Sequence, residues 1–277
     1  MDIPRGKYLH WYCTLMLCLQ LGGCFTSIVK KPEIDQVKRV AILSLYADQK
    51  VPSDKGTGIV KDWDDKVRLQ VADDALNTYR KALSTLGWQV VNPQKVLESR
   101  EYQQAFKVSD NKTVSKVASF LQNVYQQQFF TPPGMLPIVL SDEVANTRYY
   151  GDAKQDNPVA TLAGMAKKLN VDAVVLVQMD YCYTGGTFSL LGSGQAVMSA
   201  GASVKAINQK GDVVVNMPTV PRCDGKRGES KTSAIMLAGN LQFTRADKDR
   251  FRKMFIEATR ESAMITVGEL QKAMSKK

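Results

Sequence analysis

Histidine is almost absent from this chain: its 277 residues include one, His10, inside an N-terminal apolar stretch. Once that stretch is cleaved, no imidazole remains. This excludes a serine or cysteine nucleophile activated by histidine, and any metal centre that relies on imidazole. Cysteine is scarce, with five residues at positions 13, 18, 24, 182 and 223. Long apolar runs are missing after the N-terminus. The strongest, Ala173 to Val177, is broken by Gln178 and Asp180 and falls far short of the roughly 20 residues that a spanning helix needs. Gly192-Ser193-Gly194 lacks the third glycine and following helix of a phosphate-binding turn, so it reads as a hairpin connection. Asp62, Asp64 and Asp65 lack the glycine and distal glutamate of a calcium loop and read as helix-start residues. No catalytic residue, metal ligand or dissociable cofactor is expected.

What the N-terminus does contain is ordered. Arg5 and Lys7 precede an apolar run from Tyr8 that ends in Leu21-Gly22-Gly23-Cys24, the layout of a positive n-region, an apolar h-region and small residues before a cleavage point. Residues 1–23 are therefore expected to be a signal peptide. The competing readings are an ordinary secretory signal with Cys24 merely nearby, and an uncleaved helix. The latter is disfavoured by His10, Gln20 and the shortness of the run.

Cleavage before Cys24 would leave 254 residues, enough for one large or two small domains with a proper core. It removes Arg5, Lys7 and Asp2, so the formal charge of +10 falls by one to +9. Such a balance suits anionic surfaces such as phospholipid headgroups. An exported protein rarely meets nucleic acid, so no nucleic-acid partner is expected, and the dispersal of the basic residues points to a merely soluble surface. Pro218 to Lys231 is a basic loop holding Arg222, Lys226, Arg227 and Lys231, a weak candidate for anionic-surface binding.

Along the chain, Lys30 to Val37 reads as a polar spacer, making residues 24–37 a tether and 38–277 a single α/β domain. Val40 to Tyr46 is a nearly continuous apolar run, as expected of a strand buried on both faces. From Trp63 to Leu86 the apolar positions recur every three or four residues, one face of a helix ended by Gly87. Trp88 to Val91 is a short strand. Asn92-Pro93 and Asn157-Pro158 each supply a cap and first-turn proline for a helix. A helix is expected over Val114 to Gln128, then loop to Pro158 with a short strand at Ile138 to Leu140. Val171 to Tyr183, the alternating Gln195 to Asn208, and Val213 to Met217 after the Gly211-Asp212 turn form an antiparallel meander. Thr244-Arg245-Ala246-Asp247 opens a long C-terminal helix with Phe251, Phe255, Ala258, Ser262, Ile265 and Met274 near one stripe. The fold class is α/β: a mixed sheet with an antiparallel meander, packed by helices.

Leu21-Gly22-Gly23-Cys24 resembles the lipobox of bacterial lipoproteins. That resemblance implies that Cys24 becomes the first mature residue and carries the covalent lipid. Phe25 follows, where lipoproteins retained in the inner membrane carry Asp, so the resemblance implies the periplasmic side of the outer membrane. With Cys13 and Cys18 lost and Cys24 acylated, Cys182 and Cys223 remain as a pair in an oxidising compartment. A structural disulfide is expected if the loop carrying Cys223 folds back across two strand spacings, about 9.6 Å.

The order of elements, carried by Val40 to Tyr46, Leu162 to Val177 and the hairpin leading into Val213 to Met217, resembles the CsgG, LpoB and TolB N-terminal-domain group. It implies a lipid-anchored, non-enzymatic assembly or scaffolding component that binds an envelope protein or itself. A CsgG-like secretion-pore subunit is the alternative. It needs paired membrane strands of roughly 9 to 11 residues. Thr184 to Gly194 is too short for a pair, and Ser233 to Phe243 is long enough for one strand but has no obvious partner.

Overall fold

Two apolar runs far apart in sequence lie side by side at the centre of the sheet. In the computed structural model, which describes residues 28–50, 65–105, 128–140, 147–149, 158–184, 193–217, 231–238 and 245–275, these runs form strands β2 (Arg39–Lys50) and β7 (Ala173–Thr184). They pair in parallel from Val40 opposite Ala173 to Lys50 opposite Cys182. A parallel pair covered on both faces explains why both runs are almost uninterrupted Val, Ile, Leu and Ala.

The expected meander follows. Strand β8 (Ser193–Asn208) runs antiparallel to β7, and β9 (Val213–Met217) antiparallel to β8. Strands β1 (Ile28–Val29) and β3 (Gln89–Val90) close the two edges, giving the order β1-β9-β8-β7-β2-β3. Two further strands occupy the far ends of the same sheet: β4 (Gln128–Phe130) pairs with β2, and β10 (Lys231–Ala238) with β8. Strands β5 (Ile138–Leu140) and β6 (Thr147–Tyr149) form a separate antiparallel pair.

Helices cover both faces. Helix α1 (Lys31–Ile34) follows β1, and α2 (Asp65–Ser84) buries Val71, Ala72, Ala75, Leu76, Tyr79 and Leu83. Gly87, with φ of 81°, lets the chain leave α2 and turn into β3. Helix α3 (Pro93–Leu97) starts as its sequence dictates, with the Asn92 side chain accepting from Gln94 N at 3.0 Å and Pro93 filling the first turn. Helices α4 (Arg100–Ala105) and α5 (Pro158–Lys168) follow, and α6 (Arg245–Ser275) is the long C-terminal helix.

Alternation along β7 sorts the layers. Tyr181 touches Thr259 and Phe255, so the odd-numbered side chains of β7 face α6. On that face β8 presents the fully buried Ala200, Ala202 and Ala206, whose small size lets a helix lie close. The opposite face is apolar near the start of β7 and grows polar beyond Leu176, where Gln178 donates to Asp180 at 3.2 Å. Strand β2 switches the parity of its alternation at a bulge: Ile42 pairs with Val175 and Ser44 with Leu176, leaving Leu43 as the extra residue.

Several expectations give way. Residues 28–37 are built into the fold rather than forming a spacer: Ile28 and Val29 pair with β9, and Ile34 and Val37 are in the core. Gln128, expected to end a helix, opens β4, where Phe130 is buried and stacks on Tyr181 at 6.2 Å. Within the expected loop, Thr147–Tyr149 pairs with β5. The stretch from Ser233 does have a partner, since its first residues lie in β10 against Ser193–Ala200. The expected helix start at Trp63, nearly all of the helix over 114–128 and the cap at Thr244 lie outside the described residues.

Candidate functional site

Of the sequence-selected residues, those described are Cys182 in β7 and Lys231 in β10, and the first described residue after Cys24, Ile28, lies at one edge of the sheet. The chain enters there: Ile28 stands opposite Asn216, Val29 opposite Val215, and Lys30 N donates to Val214 O at 2.9 Å. Ile34 N then donates to Lys30 O at 2.9 Å, starting the short helix that drives Ile34 into the core. Entry is thus fixed both by a ladder and by an apolar anchor.

On the same lane lie β9 and β10. Strand β9 pairs with Val204–Ile207 of β8, and β10 with Ser193–Ala200, both running antiparallel to β8. They are two segments of one lane. The chain leaves it after Met217 and rejoins it at Lys231, the first residue of β10, opposite Ala200. Arg222, Cys223, Lys226 and Arg227 belong to that connection and lie outside the described residues, as does Cys24. Cys182 is near the far end of β7, opposite Ser199 and beside Lys50, and its pairing with Cys223 likewise lies outside the described residues.

A cleft of about 360 Å³ opens between α1 and the β8–β9 turn, lined by Glu33, Gln36, Asp172, Gln209 and Lys210 among others. Several of its polar groups serve the fold. Asp172 Oδ2 accepts from Lys38 N and Arg39 N at 2.8 Å each, and Gln209 Nε2 donates to Val171 O at 3.0 Å.

Among the described residues, the buried titratable groups include tyrosines together with Asp180 and Lys205. Burial pushes Tyr79 up to about 12, against a smaller downward pull from the Ser262 and Thr266 hydroxyls. Tyr79 Oη and Ser262 Oγ nonetheless lack hydrogen-bond partners, so the contact is close without being a bond. Burial also pushes Tyr102 up to about 12, and raises Tyr181, whose hydroxyl meets Thr259. All three stay protonated at neutral pH. Among the described residues, no three His, Cys, Asp or Glu side chains gather as a metal site, and no helix is long and apolar enough to cross a membrane.

Sequence reasoning missed β1, because two residues carry no periodicity, and the partner of β10, because the alternation of β8 was credited only to the meander. The one available signal was the apolar pair Ile34 and Val37 inside a nominal spacer.

No family model matches the chain, and no curated protein matches it. Among solved structures, a minor lipoprotein from Acinetobacter baumannii aligns with a TM-score of 0.31 and 8% identity, covering 86% of this chain and 92% of that one. The hypothetical protein CT253 from Chlamydia trachomatis aligns with a TM-score of 0.33 and 10% identity, covering 84% and 96%. Likeness at this level carries no functional argument.

Proposed function

We propose that this chain is a lipid-anchored cell-envelope protein, acylated at Cys24, whose α/β domain acts without catalysis as an assembly or scaffolding component facing the periplasm from the outer membrane. The observation that carries the reading is the boxed Cys24 four positions before the first strand, after a stretch with the layout of a signal peptide. The absence of histidine after residue 10 supports a binding role. So do the buried tyrosines, which serve packing rather than an open pocket. Its partner is a second envelope protein or a second copy of itself.

Mass spectrometry of the mature N-terminus tests the anchor: a diacylated or triacylated Cys24 is expected, and an unmodified Cys24 or a terminus elsewhere overturns it. Crosslinking in the native envelope tests the scaffold role. A reproducible adduct with an envelope protein or with itself is expected, and a chain that stays monomeric and uncrosslinked overturns that role.

The pairing of β10 with the first half of β8 favours a second reading, a subunit of a CsgG-like secretion pore, by supplying the antiparallel partner that membrane strands require. Reconstitution of the lipidated chain discriminates. Rings with raised membrane conductance support the pore, and conductance no greater than that of empty vesicles removes it.

A further inference from the structure

We propose that the β1 edge of the sheet lies against the membrane that carries the anchor, placing Lys30 beside anionic phospholipid headgroups and turning the β3 edge away. The proposal rests on the anchor reading above. Phe25, Thr26 and Ser27 alone separate Cys24 from Ile28, the first of the described residues, which is paired into the sheet. Four Cα steps reach about 14 Å when fully extended. An acylated cysteine sits near the hydrocarbon boundary, and crossing the headgroup layer consumes about 5 to 8 Å of that reach. Ile28 is then held within about 10 Å of the outer headgroup surface, less than the thickness of one helix with its side chains.

Nothing in β1 allows the chain to lengthen this tether. Freeing it means breaking the Ile28–Asn216 and Val29–Val215 pairing and the 2.9 Å Lys30–Val214 bond, and pulling on Ile34, which is 0% exposed. Lys30 itself is exposed, at the start of α1, and Lys210 is exposed across the cleft from Pro32 and Glu33. A cation within a Debye length of an anionic bilayer is attracted to it, so these lysines reinforce the orientation that the tether imposes. The sheet is five strand intervals wide from β1 to β3, about 24 Å, so Lys95 in α3 stands well clear of the surface.

The test places an environment-sensitive fluorophore at Lys30→Cys or at Lys95→Cys, each with Cys182→Ser and Cys223→Ser, in the full lipidated chain. The host is vesicles of phosphatidylethanolamine and phosphatidylglycerol containing a lipid with a nitroxide on its headgroup. Position 30 is expected to be quenched severalfold more than position 95. A Gly-Ser insert of about ten residues between Ser27 and Ile28 raises the tether's mean reach to roughly 20 Å and is expected to abolish most of the difference. Equal or reversed quenching, or full quenching retained with the insert, overturns the proposal. Mass spectrometry of the same samples separates the failures. An unmodified Cys24 overturns the anchor and with it this orientation, whereas a lipidated Cys24 with equal quenching overturns the orientation alone.

Discussion

The Tyr102 hydroxyl donates to the carbonyl of Leu43 at 3.2 Å, and Leu43 is the extra residue of the bulge in β2. The same hydroxyl accepts from Leu136 N at 3.1 Å. Next to it, Ser44 Oγ donates to Leu136 O and accepts from Ile138 N, both at 2.8 Å. A bulge leaves ladder groups unpaired, and two side-chain hydroxyls stitch this bulge and the segment before β5 together. Tyr102→Phe is expected to cost about 1 to 3 kcal/mol, because it strands a buried carbonyl and a half-buried N–H at once. Urea unfolding at unchanged slope reads this directly, and a midpoint equal to that of the unmodified chain contradicts it.

Thr259 Oγ1 donates to Phe255 O at 2.7 Å, so in its contact with Tyr181 the tyrosine is the donor. That assignment makes the two truncations unequal. Tyr181→Phe removes one bond and leaves Thr259 satisfied, at about 1 kcal/mol, whereas Thr259→Val strands a fully buried phenol at about 1 to 3 kcal/mol. Denaturant titration of both variants checks the order, and a reversed order refutes the donor assignment.

Alkaline pH should unfold the protein through its tyrosines. Tyr79 and Tyr102 titrate at about 12 in the fold because burial disfavours the phenolate, against an ordinary value of 10.0. A folded pKa above the unfolded one means that the unfolded chain loses its proton first. The contribution is therefore complete below pH 10 and is lost as pH rises toward 12. Tyr79→Phe removes a hydroxyl that has no partner, so its stability at pH 7 should stay level or rise while the alkaline limb becomes shallower. Unfolding midpoints from pH 8 to 11.5 provide the measurement, and a limb unchanged by the substitution counts against burial of the Tyr79 phenol as the cause.

Gly211, in the turn between β8 and β9, has φ of 90°. The Asn208 side chain fixes that turn by accepting from Lys210 N and Asp212 N at 2.9 Å each. Gly211→Ala is expected to cost about 1 to 2 kcal/mol through backbone strain alone, since the nearest side-chain atom would be at an ordinary 3.7 Å. Thermal unfolding should show the loss, and Gly211→Asn should show less of it.

Strong local signals were legible in the sequence. The runs now in β2 and β7, the Asn92-Pro93 cap, the turn at Gly211 and the stripe of Phe255, Ala258 and Ser262 all follow from periodicity or turn chemistry. Features that depend on a distant partner were not. β1 exists because β9 offers an open edge, and β10 because β8 is sixteen residues long and β9 covers only part of it. The bulge at Leu43 is equally invisible in an apolar run, where either face could be buried. For the site, the anchor cysteine and the basic loop stood out by composition. Cys24 and the loop before Lys231 lie outside the described residues, and only the pairing of Ile28 with Asn216 shows where the chain after Cys24 joins the sheet.

The interrupted lane has an evolutionary corollary. Strands β9 and β10 each take their register from β8 and none from each other, so the length of chain between Met217 and Lys231 is not a variable of the fold. Closing a longer excursion costs only about 0.6 kcal/mol per doubling. Lineages could therefore graft, shorten or diversify that segment without disturbing the ladder, and an epitope inserted there provides a handle on the protein in living cells.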